Sequence, residues 1–119
     1  MPRIHTGMAT TDTEPRLKAF LLSGLAGNTA DYYAFLNALS AHLRGFFRRR
    51  LAGLPDEVED LVQETLLAVH NQRHTYRPDQ PLTAWVNAIA RYKLVDLLRA
   101  RAGREALSEP LNDELEVFA

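Results

Sequence analysis

The sequence predicts an all-α fold, a small bundle of about four helices. Apolar residues recur at three- and four-residue spacing in four separate stretches, and strand-like alternation is absent. Glycine or proline falls between the stretches, where the chain must turn. An amphipathic helix has to bury its apolar stripe against another element, and helices alone are on offer here.

The first helix is expected over Glu14–Ala26, where Leu17, Phe20, Leu21 and Leu25 share one face and Gly27-Asn28 supplies a stop. Residues 1–13 are small and polar without periodicity and are expected to be disordered. Thr29 is the expected N-cap of the second helix, with Asp31 in the first turn. Tyr32, Leu36, Leu39, Leu43, Phe46 and Phe47 carry that helix to about Leu51, before Gly53. Arg48, Arg49 and Arg50 close it, either as favourable charges at a helix C-terminus or as a basic patch.

Pro55 opens the third helix, and Asp56, Glu57 and Glu59 load its first turn with acid. Its apolar stripe is Val58, Leu61, Val62, Thr65, Leu66 and Val69; Asp60, Gln63, Glu64 and Asn71 lie opposite. Arg73 to Pro81 reads as a loop, because Pro78 and Pro81 forbid a continuous helix. A fourth helix starts near Pro81, is apolar on more than one face, and is expected to fray near Gly103. Residues 14–104 thus form the helical domain, and 105–119 an acidic linker with a short helical segment around Asn112–Phe118.

The 119 residues, 46% hydrophobic and 24% charged, fit one ordinary soluble domain. No cysteine is present, which excludes disulfides and thiolate metal sites. No apolar run approaches the roughly 20 residues of a membrane span, and the N-terminus lacks the apolar core of a signal peptide. No membrane partner and a cytoplasmic location are expected. Catalytic constellations are also missing: there is no Gly-rich phosphate loop, and His70 and His74 lack a third ligand. A non-enzymatic protein without metal or cofactor is the expectation.

The net charge of −1 conceals segregation. Asp56, Glu57, Glu59, Asp60 and Glu64 form an acidic block; Arg91, Lys93, Arg99, Arg101 and Arg104 form a basic one, interrupted only by Asp96. Such blocks are either solvated helix faces or separate faces for separate partners. His74, Tyr76, Trp85 and Tyr92 are interleaved with cations, a composition that suits unpaired nucleic acid. Trp85 reads as well as a core residue. Composition leaves nucleic-acid binding open.

Two motifs go further. Asp60-Leu61-Val62-Gln63-Glu64-Thr65-Leu66-Leu67-Ala68-Val69 resembles the polymerase-binding helix of bacterial sigma factors. The stretch from Pro81 to Arg99, with Trp85, Ile89-Ala90-Arg91 and Asp96 followed by basic residues, is similar to the next helix of the extracytoplasmic-function group. The pair stands in the family's order and spacing, and with the helix before it covers about Ala26 to Arg104.

The resemblance implies a sigma region 2 type bundle that initiates transcription by binding core RNA polymerase and opening the minus-ten promoter element. It implies that Asp60, Leu61, Gln63 and Glu64 meet the clamp helices of the polymerase largest subunit, with Leu61 or Val62 as apolar anchor and the other packed inward. Promoter DNA, mainly the non-template single strand, would meet Arg73, His74, Tyr76, Arg77, Asn87, Arg91, Lys93, Arg99 and Arg101. The loop Arg73 to Pro81 would line a pocket for a flipped base, and Arg104 would help hold the DNA backbone. Lys93 departs from the asparagine or other polar residue of many members. An anti-sigma factor is a further implied partner, and the acidic linker would lead toward a region 4 domain outside this sequence. The alternative is a sigma-like interaction module that sequesters an anti-sigma protein and binds no DNA.

Overall fold

The computed structural model describes residues 13–118, with side chains to residue 105. It contains four α-helices: α1 (Thr13–Leu25), α2 (Thr29–Arg50), α3 (Pro55–Asn71) and α4 (Leu82–Phe118). A single 3-10 turn, Arg73–Thr75, follows α3, and no strand occurs among the described residues. Thr13, expected to be disordered, opens α1, and the rest of the segment expected to be disordered lies outside the described residues.

The helices pack in sequence order, α1 on α2, α2 on α3 and α3 on α4, and α1 also reaches α4. Leu17 and Leu21 of α1, Phe35, Leu39, Leu43 and Phe47 of α2, Val58, Val62 and Val69 of α3, and Leu82, Val86 and Ala90 of α4 fill one core. Each set follows the helical repeat of its own segment; in α2, however, the buried residue is Phe35, where the periodicity pointed to Leu36, which is half-buried.

Local chemistry sets the boundaries. Gly27 has φ +112°, a conformation that L side chains rarely adopt, and it ends α1. Gly24 answers a different need: a Cβ there would lie 2.8 Å from the Cβ of Tyr32, so its absence lets α1 and α2 meet closely. The N-cap of α2 is Asn28, not Thr29. Asn28 Oδ1 accepts the Asp31 N–H at 2.9 Å, and Thr29 becomes the first helical residue. Ser23 Oγ then donates to Asp31 Oδ2 at 2.6 Å and ties the two helices together.

At the other end of α2, Arg50 donates to the Phe46 carbonyl at 3.0 Å and covers the Phe46 ring at 3.6 Å. Arg50 is thus a helix-terminal partner with a cation–π contact. The fourth helix does not end near Gly103 but continues to Phe118, spanning the segment expected as linker and short helix. Glycine costs a helix only about 1 kcal/mol relative to alanine and keeps its N–H, so a single one weakens the repeat without breaking it.

One core position is imperfect. Thr65 is fully buried and its hydroxyl has no hydrogen-bond partner. Valine has the same branched shape without the orphan oxygen, and a buried unsatisfied hydroxyl costs about 1–3 kcal/mol. Thr65→Val is therefore expected to raise the thermal midpoint by several degrees, about 4 °C or more per kcal/mol. A melt monitored by circular dichroism checks this; a lowered midpoint would show that the hydroxyl has a stabilising role.

Candidate protein and nucleic-acid interfaces

The outward face of α3 is acidic and amide-bearing. Asp60, Gln63 and Glu64 are exposed, and their spacing puts them side by side on the helix. Leu61 is 3% exposed and Val62 wholly buried, so both pack inward. The expectation that one of them anchors an interface does not fit this placement, because neither offers area to a partner. Leu67 does: it is 60% exposed. With Leu36, Leu66, Gln63, Glu64 and His70 it lines a groove of about 520 Å³ between α2 and α3. The adjacent pair Leu66-Leu67 held the signal, since a helix with one buried stripe turns one of two neighbours outward.

Several acids on α3 are already engaged. Glu59 is bound by both Nε and Nη2 of Arg44, and this hydrogen bonding holds its carboxyl below the usual range. Glu57 takes a 3.2 Å hydrogen bond from Arg101, and Glu64 lies 4.0 Å from the Lys93 ammonium. Asp60, Asp96, Leu97 and Arg104 share the cleft between α3 and α4 with Glu57, Glu64 and Lys93. Lys93 and Arg101 thus each reach from the basic helix toward an acid of α3.

The free cations of α4 are Arg91, Arg99 and Arg104, all exposed and without an ion pair among the described residues. Tyr92, between Arg91 and Arg99 on the outer face, is 70% exposed. The sequence placed it among the aromatics interleaved with cations, but the resemblance did not assign it to DNA. Its polar neighbours Arg91 and Lys93 gave the available hint. Asn87 is half-buried, and its Oδ1 lies 2.9 Å from His42 Nε2, which requires the imidazole proton on that nitrogen.

The loop after α3 has an inner and an outer side. Tyr76 is 5% exposed, its ring lies 5.3 Å from that of Trp85, and its hydroxyl donates to the Gln80 carbonyl at 2.6 Å. It is thus no open stacking surface, as its place in a proline loop had implied; it pins the loop to α4 from inside. Arg77, Pro78 and Asp79 face outward, and Arg77 pairs loosely with Asp79 at 3.7 Å. His74 is exposed, whereas Arg73 is half-buried and donates to the His70 carbonyl at 2.8 Å.

Tyr32 and His70 meet at 2.7 Å, hydroxyl to Nδ1, and burial followed by the opposing influence of Arg73 leaves the tyrosine above its ordinary pKa. Among the described residues no three histidine or acidic side chains are placed to hold a metal ion. No helix of the described residues is long and apolar enough to cross a membrane.

The start of α4 has a partner from far away. Pro81 precedes the helix and has no side-chain oxygen to cap it. Glu14 of α1 does so instead: Oε2 accepts the Leu82 N–H at 2.8 Å and Oε1 the Thr83 N–H at 2.7 Å. Burial raises the Glu14 pKa, but the bonds from Thr83 and Leu82 and the charge of Lys18 outweigh it, leaving the carboxyl lowered. A lowered folded pKa means that the cap is intact at neutral pH and weakens as pH falls through that value.

Comparison with known proteins gives the family of the chain. The family model described as Sigma-70 region 2 matches residues 35–104. The chain is 53% identical over 109 residues to the ECF RNA polymerase sigma factor SigF of Caulobacter vibrioides, covering 92% of this chain and 60% of that protein. It is 37% identical over 67 residues to the RNA polymerase sigma factor CnrH of Cupriavidus metallidurans, covering 54% of this chain and 35% of that protein. The chain therefore spans less than two thirds of either relative. No solved structure matches it.

Proposed function

Because the chain belongs to the Sigma-70 region 2 family, in its extracytoplasmic-function group, we propose that it binds core RNA polymerase and opens the minus-ten element at transcription initiation. The observation that carries this reading is the pair of unlike outward faces on α3 and α4. Asp60, Gln63 and Glu64 beside the apolar groove suit a partner that is basic and partly apolar, as proposed for the clamp helices. Arg91, Tyr92 and Arg99 suit a single strand, with cations for phosphates and a ring for a base.

The loop supports a flipped base in this proposal with its outer side, His74 and Arg77 to Asp79, on a frame held by Tyr76. Flipping costs a few kcal/mol, and Pro78 and Pro81 lower the ordering cost of a loop that must meet the base. Lys93 and Arg101 serve first as links between the two helices. An anti-sigma protein that covers the α3 face would compete with polymerase for it.

The test is binding of the chain to single-stranded minus-ten DNA and to the clamp-helix fragment, followed by fluorescence anisotropy. Arg91→Ala and Tyr92→Ala are each expected to weaken DNA binding by about 1–3 kcal/mol for the lost stacking or phosphate contact while sparing the clamp. Arg91→Ala should also reduce the salt dependence by about one ion. Tyr76→Phe, which keeps the buried ring but loses the hydroxyl that holds the Gln80 carbonyl, should weaken DNA binding less than Tyr92→Ala does. Clamp binding without any DNA binding would favour the protein-only module.

A further inference from the structure

We infer that α1 is the positioning element of the DNA-facing loop, and that Glu14 and Lys18 set the geometry of Gln80 to Thr83. This rests on the proposed DNA reading of that loop, but the contacts stand apart from it. Both residues precede the segment matched by the family model, residues 35–104.

The first turn of a helix leaves four backbone N–H groups without partners. In α4 the preceding Pro81 provides no capping oxygen, and the carboxylate of Glu14 takes the first two donors with one oxygen each. Two oxygens on two successive N–H groups fix direction as well as distance. The negative charge also sits at the positive end of the helix dipole.

One turn further along α1, Lys18 Nζ lies 3.4 Å from the Gln80 carbonyl and 6.0 Å from the centre of the Tyr76 ring. The same carbonyl accepts the Tyr76 hydroxyl, so the last residues of the loop are held from two sides. The outer residues Arg77, Pro78 and Asp79 are exposed, and Arg77 is tied to this held end through its carbonyl, which accepts the Gln80 N–H at 3.0 Å. Their placement relative to Arg91 and Tyr92 thus depends on a clamp that α1 supplies. Glu14 and Lys18 touch no DNA in this scheme; they act through the loop and the helix start.

Trp85, the sole tryptophan, reports on this region, since it packs on Tyr76 and begins one turn after the cap. In the 119-residue chain, Glu14→Ala is expected to shift Trp85 emission to the red and to weaken single-stranded DNA binding about fivefold or more, with clamp binding unchanged within about twofold. Glu14→Gln, which keeps one acceptor, should fall between. Lys18→Met, which keeps the stem and drops the donor, should show the same pattern to a smaller degree.

Equal loss of DNA and clamp binding, tracking a lowered thermal midpoint, would reduce Glu14 to a general stabiliser and overturn the proposal. Parental DNA affinity with parental Trp85 emission in Glu14→Ala and Lys18→Met would overturn it as well. A parent chain that binds no DNA removes the functional reading, and the emission shift then still decides whether Glu14 and Lys18 hold the loop.

Discussion

Replacing Gln63 and Glu64 together by alanine is expected to weaken binding to the polymerase clamp-helix fragment about tenfold to a hundredfold, a loss of about 1.4–2.8 kcal/mol. Both side chains are exposed, so their removal opens no cavity. Alanine is a better helix former than glutamine or glutamate by a few tenths of a kcal/mol, so α3 should not be weakened. The double variant should therefore melt within about 0.5 kcal/mol of the parent, as surface substitutions usually do.

DNA binding should be no weaker, because Lys93 loses only a 4.0 Å neighbour. The effect on the clamp should also shrink at high salt, since exposed charges are screened beyond about 10 Å at 0.1 M. Calorimetric titration at two salt concentrations measures both. Clamp affinity that persists in the double variant would mean that Gln63 and Glu64 do not carry the polymerase contact.

Phe47→Ala has the opposite signature. The Phe47 ring is fully buried and meets Phe46 edge-on at 5.3 Å. Truncation of such a ring costs about 3–5 kcal/mol, from lost transfer energy and the cavity left behind. A domain of this size is stable by only about 5–15 kcal/mol, so the folded population should fall steeply. Denaturant melts should show the midpoint shift with an unchanged slope, and clamp and DNA binding should decline in step. That joint decline separates a packing defect from an interface defect. A shift below about 1 kcal/mol would mean that the α2 core repacks around the gap far better than large-to-small changes usually allow.

The helices and their buried stripes were legible because periodicity is local. Leu39, Leu43, Phe46 and Phe47 announce a face from within one segment, and that face is buried whichever helix covers it. The same logic exposed Asp60, Gln63 and Glu64. Local rules missed where they compete closely. Asn28 and Thr29 both make good caps, and the reach of Asn28 Oδ1 to the Asp31 N–H decided between them. Gly103 was a weak stop read as a strong one.

The candidate site was legible by segment but not by residue. Tyr76 and Tyr92 look alike in a list of aromatics among cations, yet one is 5% and the other 70% exposed. Their difference arises from Trp85 and Gln80, which close over Tyr76 when the loop folds back on α4.

What the sequence determined by itself is the set of helices, the stripe each one buries, and the acidic and basic blocks on the third and fourth. These depend on residues a turn or two apart. Only the tertiary structure decided which charges are free. Arg101 finds Glu57 across 44 residues, and Glu14 reaches Leu82 across 68. Such pairs lie far outside any helical repeat. They exist because burying the stripes brings α3 against α4 and α1 against the start of α4, and polar groups then bond with whatever that packing places beside them.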